Sequence, residues 1–367
     1  MKSDTENKQD TANDILDYIR TRAEDVDKAM TTYLNDKTSP RHLERLLGRS
    51  GYEYDPEAID KSIIEPAKYL LHLGGKRWRP VLMLTIIDAL GKDSNDYLEF
   101  AVIPEIIHNA TLIHDDIEDG SEMRRGAQAV HVKFGLDIGL NLGDFMFYFP
   151  IVALLDSKKI NDVKKMRILE IYQRNMLKVT IGQATDIAWH NLLVNPFEVS
   201  EKKYLQMAYA KSGVLPEMAA SFGGVLGDAD EKTIKALAKF GGTIGVAFQL
   251  QDDVLNIVES GVSETKGGVG DDITEGKLTM LVIYTIANAS KADKEKLIEI
   301  LNMHTKDQKI IKEAIDIIKK YKAIEFVNKL EEKLVVEAWG EVDKLLHSSD
   351  AKNKLKALAE FVIARSI

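Results

Sequence analysis

Helical spacing of the apolar residues runs through almost the whole chain and constrains its fold more than any other feature. From Pro56 onward, nearly every segment repeats its apolar positions every three or four residues, which is the period of an α-helix. Alternating runs of Val, Ile and Thr with hairpin turns, which would predict strands, do not occur. Two segments, 101–117 and 236–257, are apolar nearly all round, as helices inside a bundle are. The sequence therefore predicts an all-α helical bundle.

Three regions differ in composition along the chain. Residues 1–12 are polar and are predicted to be disordered. Residues 13–55 carry spaced apolar positions amid charged residues, which predicts an N-terminal helical extension. Residues 56–367 show no compositional break and are predicted to form one domain. Within this domain, the spacing predicts a helix over 122–132 and an uninterrupted helix over 137–155.

Charge and composition exclude several classes of function. The chain has 58 acidic and 49 basic residues and a formal net charge of −9, which argues against nucleic acid as the main partner. It contains no cysteine, so disulfides, thiolate zinc sites and cysteine nucleophiles are excluded. The N-terminus has no apolar signal core, and the apolar runs 81–87 and 145–155 are too short for a transmembrane segment. We therefore expect a cytoplasmic protein without a membrane span.

Two aspartate-rich segments lie in apolar surroundings, where carboxylates repel each other unless a cation neutralises them. In the first, Asp115 and Asp119 lie four residues apart on one face of a helix, and Asp116 flanks them. In the second, Asp252 and Asp253 follow a wholly apolar run. Hard oxygen ligands favour Mg²⁺, which takes its remaining ligands from a substrate phosphate. Either segment alone also fits a solvated helix end, but the two together predict a site for a diphosphate held through metal.

Basic residues occur in short clusters around these segments and have the chemistry to bind phosphate. Gly74 and Gly75 precede three cations on a turn, where backbone amides and charged side chains can both reach an anion, although an exposed turn is the alternative. Arginine clamps phosphate oxygens bidentately, whereas lysine acts as a point charge. One diphosphate does not need so many cations, so a second diphosphate is expected. The candidates are Lys76, Arg77, Arg79, Arg124, Arg125, Lys211, Lys266 and Lys277.

The motifs, in this order, resemble those of the all-trans polyprenyl diphosphate synthases of the farnesyl and geranylgeranyl diphosphate synthase type. The resemblance covers roughly residues 60–290. It implies a single-domain orthogonal helical bundle around a central cavity, prenyltransferase activity and a homodimer. The motifs are GGKRWRP at 74–80, IHNATLIHDDIEDGSEMRRG at 107–126, GD at 143–144, GQATD at 182–186, KSG at 211–213, FQLQDD at 248–253 and GDDITEGKLT at 270–279.

The resemblance also implies roles for the residues of these motifs. About three Mg²⁺ ions would surround an allylic diphosphate. Their ligands would be Asp115, Asp119 and Asp252, supported by Asp116 and Asp253, with Asp186 as a further candidate. The allylic diphosphate would contact Arg124, Lys211, Gln249 and Lys277, with Gln183 on the opposite wall and Ser212 near the reacting carbons. Isopentenyl diphosphate would contact Lys76, Arg79, His108 and Arg125, with Arg77 on the same turn and Lys266 as a further substrate-binding candidate.

The reaction that the resemblance implies joins isopentenyl diphosphate to an allylic diphosphate, such as the dimethylallyl, geranyl or farnesyl compound. Cations stabilise the departing diphosphate, the allylic C–O bond ionises, and the double bond of isopentenyl diphosphate attacks the carbocation. In this family the released diphosphate takes the proton that is then lost. The cavity must exclude water, because water would quench the carbocation.

Small residues before the first aspartates indicate a deep tunnel for the growing chain. Ala110 and Thr111 stand where family members that stop at farnesyl carry bulky side chains. We therefore expect the tunnel to continue one helical turn towards Ile107, with Phe147 and Tyr148 at its floor. The expected product is the C20 compound geranylgeranyl diphosphate, with C25–C35 chains as the alternative.

Other functions share some of these features. A class I terpene cyclase also uses an aspartate-rich motif, but residues 252–260 lack its second metal motif, and it needs no site for isopentenyl diphosphate. A phosphohydrolase of the His-Asp type would use His114 and Asp115 and would leave the second aspartates unexplained. A non-catalytic subunit of a heteromeric synthase would be expected to have lost a metal-binding aspartate, and none is lost here.

Overall fold

The structure is a computed structural model that describes residues 2–34, 38–258 and 269–363, with side chains from Asp14 to Phe361. Most of these residues are helical, which confirms the all-α fold. Among them, the only strands are β1 (Met123–Arg124) and β2 (Ala127–Gln128), which pair antiparallel. The fold is therefore built from helices, apart from this short hairpin.

The helices follow one another through mostly short connections. In the first half they are α1 (Lys2–Tyr33), α2 (Pro40–Leu47), α3 (Pro56–Ile59), α4 (Glu65–His72), α5 (Trp78–Ala89), α6 (Leu98–Glu118), α7 (Val130–Phe134), α8 (Leu136–Tyr148), α9 (Ile151–Asp156) and α10 (Asp162–His190). In the second half they are α11 (Glu201–Ala208), α12 (Val214–Leu226), α13 (Glu231–Ile257), α14 (Asp271–Thr274), α15 (Met280–Asn288), α16 (Lys291–Asn302), α17 (Gln308–Lys320), α18 (Ala323–Val342) and α19 (Asp350–Ile363). Turns of π-helix join α3 to α4 at Asp60–Ile64 and α11 to α12 at Tyr209–Gly213, and 3₁₀ turns precede α6 at Ser94–Tyr97 and α11 at Pro196–Glu198.

Helices α5, α6, α12 and α13 form the centre of the bundle. Every residue of α12 is buried, and α5 is buried from Trp78 to Ile87. α6 packs against α5 and α12, and α13 packs against α12, as the all-round apolar character of α6 and α13 predicts. Both α6 and α13 carry their aspartates near the C-terminal end. The packing of the core therefore fixes the positions of both aspartate segments.

The long helix α1 packs against the centre of the bundle. Ile15, Ile19, Val26 and Met30 are buried at helical spacing. Residues 2–12, for which the composition predicts disorder, form the first turns of this helix. Lys, Glu and Gln in this stretch are good helix formers, so a helix that nucleates in the buried turns extends through them at little cost. The rest of the predicted extension contains the remainder of α1 and all of α2.

The prediction of a helix over 122–132 is wrong, because β1 and β2 form a hairpin there. Arg124 pairs with Ala127 across a two-residue turn. The turn residues, Arg125 and Gly126, both have positive φ, 53° and 79°, which is the geometry of a type I′ turn. Arginine rarely occupies this left-handed region, so the sequence carries no signal for the turn. The hairpin places both arginines against α6.

The apolar stretch Leu136–Asp156 has the length and composition of a membrane-spanning helix. In the structure it is two helices, α8 and α9, with a turn at Phe149 and Pro150 between them. The predicted uninterrupted helix over 137–155 is therefore wrong, since proline has no N–H with which to continue the helical ladder. The cytoplasmic location stays a prediction. Side chains of this stretch that pack in the core include Leu142, Met146 and Leu154.

Candidate active site

A cavity of about 580 Å³ lies between the aspartate-bearing ends of α6 and α13. α10, α11 and the residues from α14 to the start of α15 form its other sides. Most of the predicted site residues line this cavity, so the structure brings both aspartate segments and basic residues from four of the motifs into one space. They are Arg79, His108, Asp115, Asp119, Arg124, Arg125, Gln183, Asp186, Lys211, Ser212, Gln249, Asp252, Asp253 and Lys277.

Asp115 and Asp119 lie at the C-terminal end of α6 and both line the cavity. The carboxylate of Asp115 lies 3.4 Å from Lys211 Nζ, and that of Asp119 lies 3.1 Å from Lys277 Nζ. Burial alone would raise the pKa of Asp115, but the charges of Lys211 and Lys277 hold it below its ordinary value. Asp115 is therefore ionised, and cations from across the cavity hold both carboxylates.

Asp116 is buried and does not line the cavity, although it lies between the other two aspartates in sequence. It forms an ion pair with Arg124, whose Nε lies 2.8 Å from Asp116 Oδ1. Burial raises the pKa of Asp116, and the guanidinium of Arg124 opposes this rise. Because Arg124 does line the cavity, Asp116 acts on the site by fixing the position of that arginine.

On α13, Asp253 fixes a chain of hydrogen bonds at the wall of the cavity. It is almost completely buried and accepts hydrogen bonds from Tyr204 Oη and, at 2.8 Å, from Gln249 Nε2. Burial, together with the nearby carboxylate of Asp272, raises the pKa of Asp253 to about 8. Ser212 Oγ donates to Gln249 Oε1 at 2.7 Å. Asp253 therefore orients the amide of Gln249, and the amide orients the hydroxyl of Ser212.

The turn Tyr209–Gly213, which carries Lys211, is π-helical, a geometry that recurs at functional sites. Gly182 of α10 approaches it so closely that a Cβ at this position would lie 2.4 Å from Lys211 N. Lys211 Nζ lies 2.6 Å from Asp186 on α10. Burial alone would lower the pKa of Lys211, but Asp115 and Asp186 raise it above its ordinary value. The lysine is therefore a charged link between α6 and α10.

The segment after α14 supplies Lys277 together with further carboxylates. Lys277 Nζ contacts Glu275 and lies 3.9 Å from Asp272, in addition to its contact with Asp119. Burial raises the pKa of Glu275 to about 7, although Lys277 opposes this rise. Burial alone would lower the pKa of Lys277, but the three carboxylates raise it well above its ordinary value. Lys277 therefore joins this segment to the end of α6.

Arg79, His108 and Arg125 form a basic side of the cavity. The guanidinium of Arg79 lies over the ring of Trp78, 4.8 Å from its centroid. Burial lowers the pKa of His108 well below its ordinary value, and the charges of Arg79 and Arg125 lower it further. The imidazole is therefore neutral and can donate or accept a hydrogen bond. Two guanidinium groups and a neutral donor suit a diphosphate that is bound without metal.

Some predicted site residues lie elsewhere. Arg77 has a φ of 48°, which turns its side chain away from the cavity and into the core, where the residue is 2% exposed. It is therefore not placed to contact a substrate. Lys76 is exposed on the preceding turn and is not among the described residues that line the cavity. Lys266 lies outside the residues that the structure describes.

The residues predicted to limit product length are divided between the cavity and other parts of the molecule. Thr111 and Phe147 line the cavity. Ala110 and Ile107 are completely buried in the core, and Tyr148 is 75% exposed on α8. Successive residues of a helix are rotated by about 100°, so the face of α6 that presents Thr111 does not also present Ala110. Of these five residues, Thr111 and Phe147 are therefore the two that contact the cavity.

Several side chains of the cavity escaped the sequence analysis. Glu118 accepts a hydrogen bond from Gln183, and Asp272 and Glu275 surround Lys277. Glu118 lies inside the motif 107–126, and Asp272 and Glu275 lie inside the motif 270–279, so a search of those motifs for further acidic residues would have found them. Tyr204, the partner of the buried aspartate on α13, lies on an ordinary amphipathic helix, and no sequence signal distinguishes it.

The carboxylates suit a divalent cation, although no group of three or more potential ligands converges within the described part of the chain. Asp115, Asp119 and Asp252 present oxygens to one cavity from α6 and α13. Mg²⁺ is usually held by one or two carboxylates and completes its shell with water and substrate phosphate, so a cage of protein ligands is not required. The donor set therefore fits Mg²⁺ that binds together with a diphosphate.

Known proteins resemble most of this chain. The chain matches the family model of the polyprenyl synthetases over residues 60–318. It is 35% identical over 305 residues to a short chain isoprenyl diphosphate synthase of Methanothermobacter thermautotrophicus, and the match covers 83% of this chain and 91% of that protein.

Solved structures of two further proteins share the fold. A geranylgeranyl pyrophosphate synthetase from Pyrococcus horikoshii superimposes with a TM-score of 0.82 at 30% identity, covering 96% of this chain and 99% of that one. A polyprenyl synthase from Caulobacter crescentus, solved with calcium and isoprenyl diphosphate, gives a TM-score of 0.77 at 25% identity, covering 95% and 98%. These matches confirm the resemblance that the motifs carry, and the chain belongs to the polyprenyl synthetase family.

Proposed function

We propose that this protein is a prenyltransferase that condenses isopentenyl diphosphate with an allylic diphosphate and makes geranylgeranyl diphosphate. The observation that carries this proposal is the meeting of two different anion sites in one cavity. The acidic side, from α6 and α13, suits a diphosphate bound through metal ions. The basic side, with Arg79, His108 and Arg125, suits a diphosphate bound directly. An enzyme with a single diphosphate substrate would not need both sides.

On the acidic side, Asp115, Asp119 and Asp252 are the residues that would hold Mg²⁺. Bound Mg²⁺ neutralises the charge of a leaving diphosphate. Lys211 and Lys277 now pair with Asp115 and Asp119, and they can turn to phosphate oxygens when those carboxylates have other partners. The related Caulobacter crescentus synthase was solved with calcium and isoprenyl diphosphate, which supports the binding of a divalent cation and a diphosphate by a protein of this fold.

The reaction breaks the allylic C1–O bond, joins C1 to the terminal alkene carbon of isopentenyl diphosphate, and releases one proton. Arg124, Lys211 and Lys277 stabilise the charge that develops on the leaving diphosphate. Ser212 Oγ donates a hydrogen bond to Gln249 Oε1, so its oxygen lone pairs are available to the carbocation. Both lysines are protonated and cannot act as bases. The released diphosphate, with its oxygens near the new cation, is the base that the family resemblance implies.

Product length depends on how far the cavity extends past the aspartates. One helical turn is about 5.4 Å, close to the length of one isoprene unit. Thr111, one turn before Asp115, is small enough to leave room for further units. The ring of Phe147, which lines the cavity, packs edge-on against His114, with 5.0 Å between the ring centroids. We assign this ring as the floor that stops the growing chain. We therefore assign the C20 product, which the name of the related Pyrococcus horikoshii enzyme supports.

A product assay tests the proposal. The purified chain is incubated with Mg²⁺, isopentenyl diphosphate and, separately, the C5, C10 and C15 allylic diphosphates, and the dephosphorylated products are sized by mass spectrometry. We expect a ladder that ends at C20, no product in EDTA, and recovery when Mg²⁺ is restored. A main product of C25 or longer would keep the reaction and refute the C20 assignment. Release of diphosphate from an allylic substrate without elongation would refute the reaction itself.

We also infer that two copies of the chain form a homodimer through α8 and α10. Tyr172 Oη on α10 donates to the backbone oxygen of Phe147 on α8, so the two helices meet at this point. Large exposed apolar patches are rare on monomers and mark interaction surfaces. A closed dimer uses the same patch on both subunits, so a second copy is a suitable partner. The exposed apolar side chains are Leu136 and Leu140 on α8 and Val163, Met166, Leu177 and Ile181 on α10.

A further inference from the structure

A chain of polar contacts runs from α1 to the basic side of the cavity. Arg77 donates from Nε to Asp27 on α1 and from Nη1 to Glu105 on α6, both at 2.8 Å. Asn109, one turn after Glu105, donates from Nδ2 to Glu105 Oε1 at 3.0 Å. Asn109 Oδ1 accepts from Arg125 Nη1 at 3.3 Å. Three side chains therefore connect Asp27 to Arg125, and we call these five residues the arginine network.

The middle of the arginine network is buried within an otherwise apolar part of the bundle. Arg77 and Glu105 are each 2% exposed, and Asn109 is completely buried. Apolar residues of similar volume often stabilise a core as well as a buried ion pair does, because both charges lose their hydration. Core stability alone therefore does not explain the network. Arg125 is the outer member of the network and lines the cavity. Its role there offers a better explanation of why the network is present.

Arg125 has to be held in place because a second arginine lies beside it. A Cβ at Gly75 would lie 2.9 Å from Arg77 Nη1 and 3.2 Å from Arg125 Nη2, so both guanidinium groups pack over this glycine. Two guanidinium groups that pack over the same glycine repel each other, and this repulsion favours a conformation in which the Arg125 side chain points into solvent. The carboxylate of Glu105 offsets the repulsion. Arg125 Nη1 donates to two acceptors, the backbone oxygen of Gly74 and the amide oxygen of Asn109, and of these only Asn109 belongs to the arginine network.

We propose that Glu105 and Asn109 are positioning residues for isopentenyl diphosphate, and that they act by fixing the guanidinium of Arg125. The inference rests on the proposed function, which assigns Arg125 to that substrate. Glu105 and Asn109 do not line the cavity, whereas Arg125 does. Glu105 supplies the negative charge that allows two arginines to lie side by side, and Asn109 sets the direction of Arg125. Arg77 is the buried partner that holds the carboxylate of Glu105 in place.

Binding of isopentenyl diphosphate alone tests the proposal without turnover. Calorimetry with the full chain gives its Kd in the absence of an allylic substrate, and steady-state kinetics give kcat and both KM values. For Glu105→Gln and Asn109→Leu, we expect the Kd and KM for isopentenyl diphosphate to rise about tenfold, because a small displacement of Arg125 weakens its contact with the phosphate. The KM for geranyl diphosphate and kcat should change by less than about twofold.

Arg22→Gln is the matched control. Arg22 also attaches α1 to the bundle, through Ser94 at 2.7 Å and Asn95 at 2.9 Å, and in the described part of the chain it contacts no member of the arginine network. This variant should lower the unfolding temperature and leave the Kd for isopentenyl diphosphate unchanged.

Should Glu105→Gln fail to fold, Asn109→Leu decides the question, because it keeps the ion pair between Arg77 and Glu105. Equal increases in the KM values for both substrates, or no increase in the KM for isopentenyl diphosphate, would overturn the inference. Failure of the wild-type chain to elongate any allylic primer would instead refute the proposed function. The Kd for isopentenyl diphosphate is measured without turnover, so it tests the arginine network separately from the elongation reaction.

Discussion

Opposite charges neutralise one another across the width of the cavity. Lys211 lies between Asp115 and Asp186, and Lys277 holds Asp119. A diphosphate would supply negative charge for the lysines, and its metal ions would supply positive charge for the carboxylates. Each lysine can therefore exchange a carboxylate for a phosphate oxygen without leaving a buried charge unpaired, which would be costly. Binding requires an exchange of partners at the level of single side chains.

The aspartates of α6 should differ in importance. Asp119→Asn removes a carboxylate that lines the cavity, so we expect kcat/KM to fall by about 10²- to 10³-fold. Asp116→Asn changes a buried carboxylate that holds Arg124, so we expect a loss of about tenfold, mainly in the KM for the allylic substrate. Steady-state kinetics with geranyl diphosphate measure both, with Asp137→Asn on the exposed first turn of α8 as the control. Equal losses for Asp116→Asn and Asp119→Asn would show that both carboxylates face the substrate.

His108 should make the folded protein less stable in acid. Its pKa in the folded protein lies well below 6.5, so below that pH the unfolded chain binds a proton that the folded protein does not. The contribution of the neutral imidazole to stability is therefore complete above about pH 6.5 and is lost progressively as the pH falls below it.

Calorimetry at about pH 7.5 and 5.5 checks the acid sensitivity. The unfolding temperature of the wild type should fall more between these two values than that of His108→Gln. His72→Gln, on the exposed side of α4, controls for the loss of an imidazole. If the wild type and His108→Gln lose the same amount of stability, His108 is not held in its neutral form.

At the scale of elements, periodicity was sufficient to locate α6 and α13, because a helix that is apolar all round is stable only inside the core. The same spacing placed Asp115 and Asp119 on one face, and the structure has them there. Periodicity failed for the hairpin and for the direction of Arg77, because both depend on positive φ at an arginine, which leaves no pattern in the sequence. Periodicity did not predict the contact between Lys277 and Asp119 either, since only the packing of the helices brings these two side chains together.

α1, which precedes the residues matched to the family, should affect substrate binding through one contact. Asp27 holds Arg77 at 2.8 Å. Asp27→Asn should raise the KM for isopentenyl diphosphate about threefold, less than Glu105→Gln does, because Arg77 keeps its pairing with Glu105. Kinetics at saturating geranyl diphosphate measure the effect. Asp17→Asn is the control, since Asp17 pairs with Arg20 on the same helix. An unchanged KM for Asp27→Asn would confine the arginine network to α5, α6 and the hairpin.

α8 should set the product length through a single side chain. Phe147 lines the cavity and is the proposed floor, and the hydrogen bond from Tyr172 to its backbone oxygen holds the helix in place. Phe147→Ala should lengthen the main product from C20 to C25 or beyond, because it removes the ring that blocks the growing chain. Tyr148→Ala, at the neighbouring exposed position, is the matched control and should leave the product at C20. Mass spectrometry of the dephosphorylated products distinguishes them, and an unchanged length in an active Phe147→Ala enzyme would place the floor elsewhere.

For the molecule as a whole, the proposed dimer surface and the cavity share the same two helices. α10 presents Gln183 and Asp186 to the cavity, whereas Leu177 and Ile181 are exposed. α8 likewise presents Phe147 to the cavity and carries exposed apolar residues elsewhere on its surface. A partner subunit on this surface would pack against the sides of α8 and α10 that face away from the cavity, and would support the cavity wall. Dimerisation should therefore contribute to activity as well as to stability.

One substitution on this surface separates the dimer from the rest of the fold. Ile181→Asp places a charge on a side chain that is 64% exposed in the isolated chain, so it costs little in the monomer but would be buried and unpaired in the dimer. We expect sedimentation equilibrium to give one chain mass, 41.1 kDa, for this variant and twice that mass for the wild type. Val336→Asp on α18, a residue also 64% exposed, is the control and should remain dimeric.

A dimeric Ile181→Asp would move the interface away from α10, and a monomeric wild type at micromolar concentration would refute the homodimer. If Ile181→Asp is monomeric, reduced kcat together with a normal Kd for isopentenyl diphosphate would show that the partner supports the α8–α10 wall and not the basic side of the cavity.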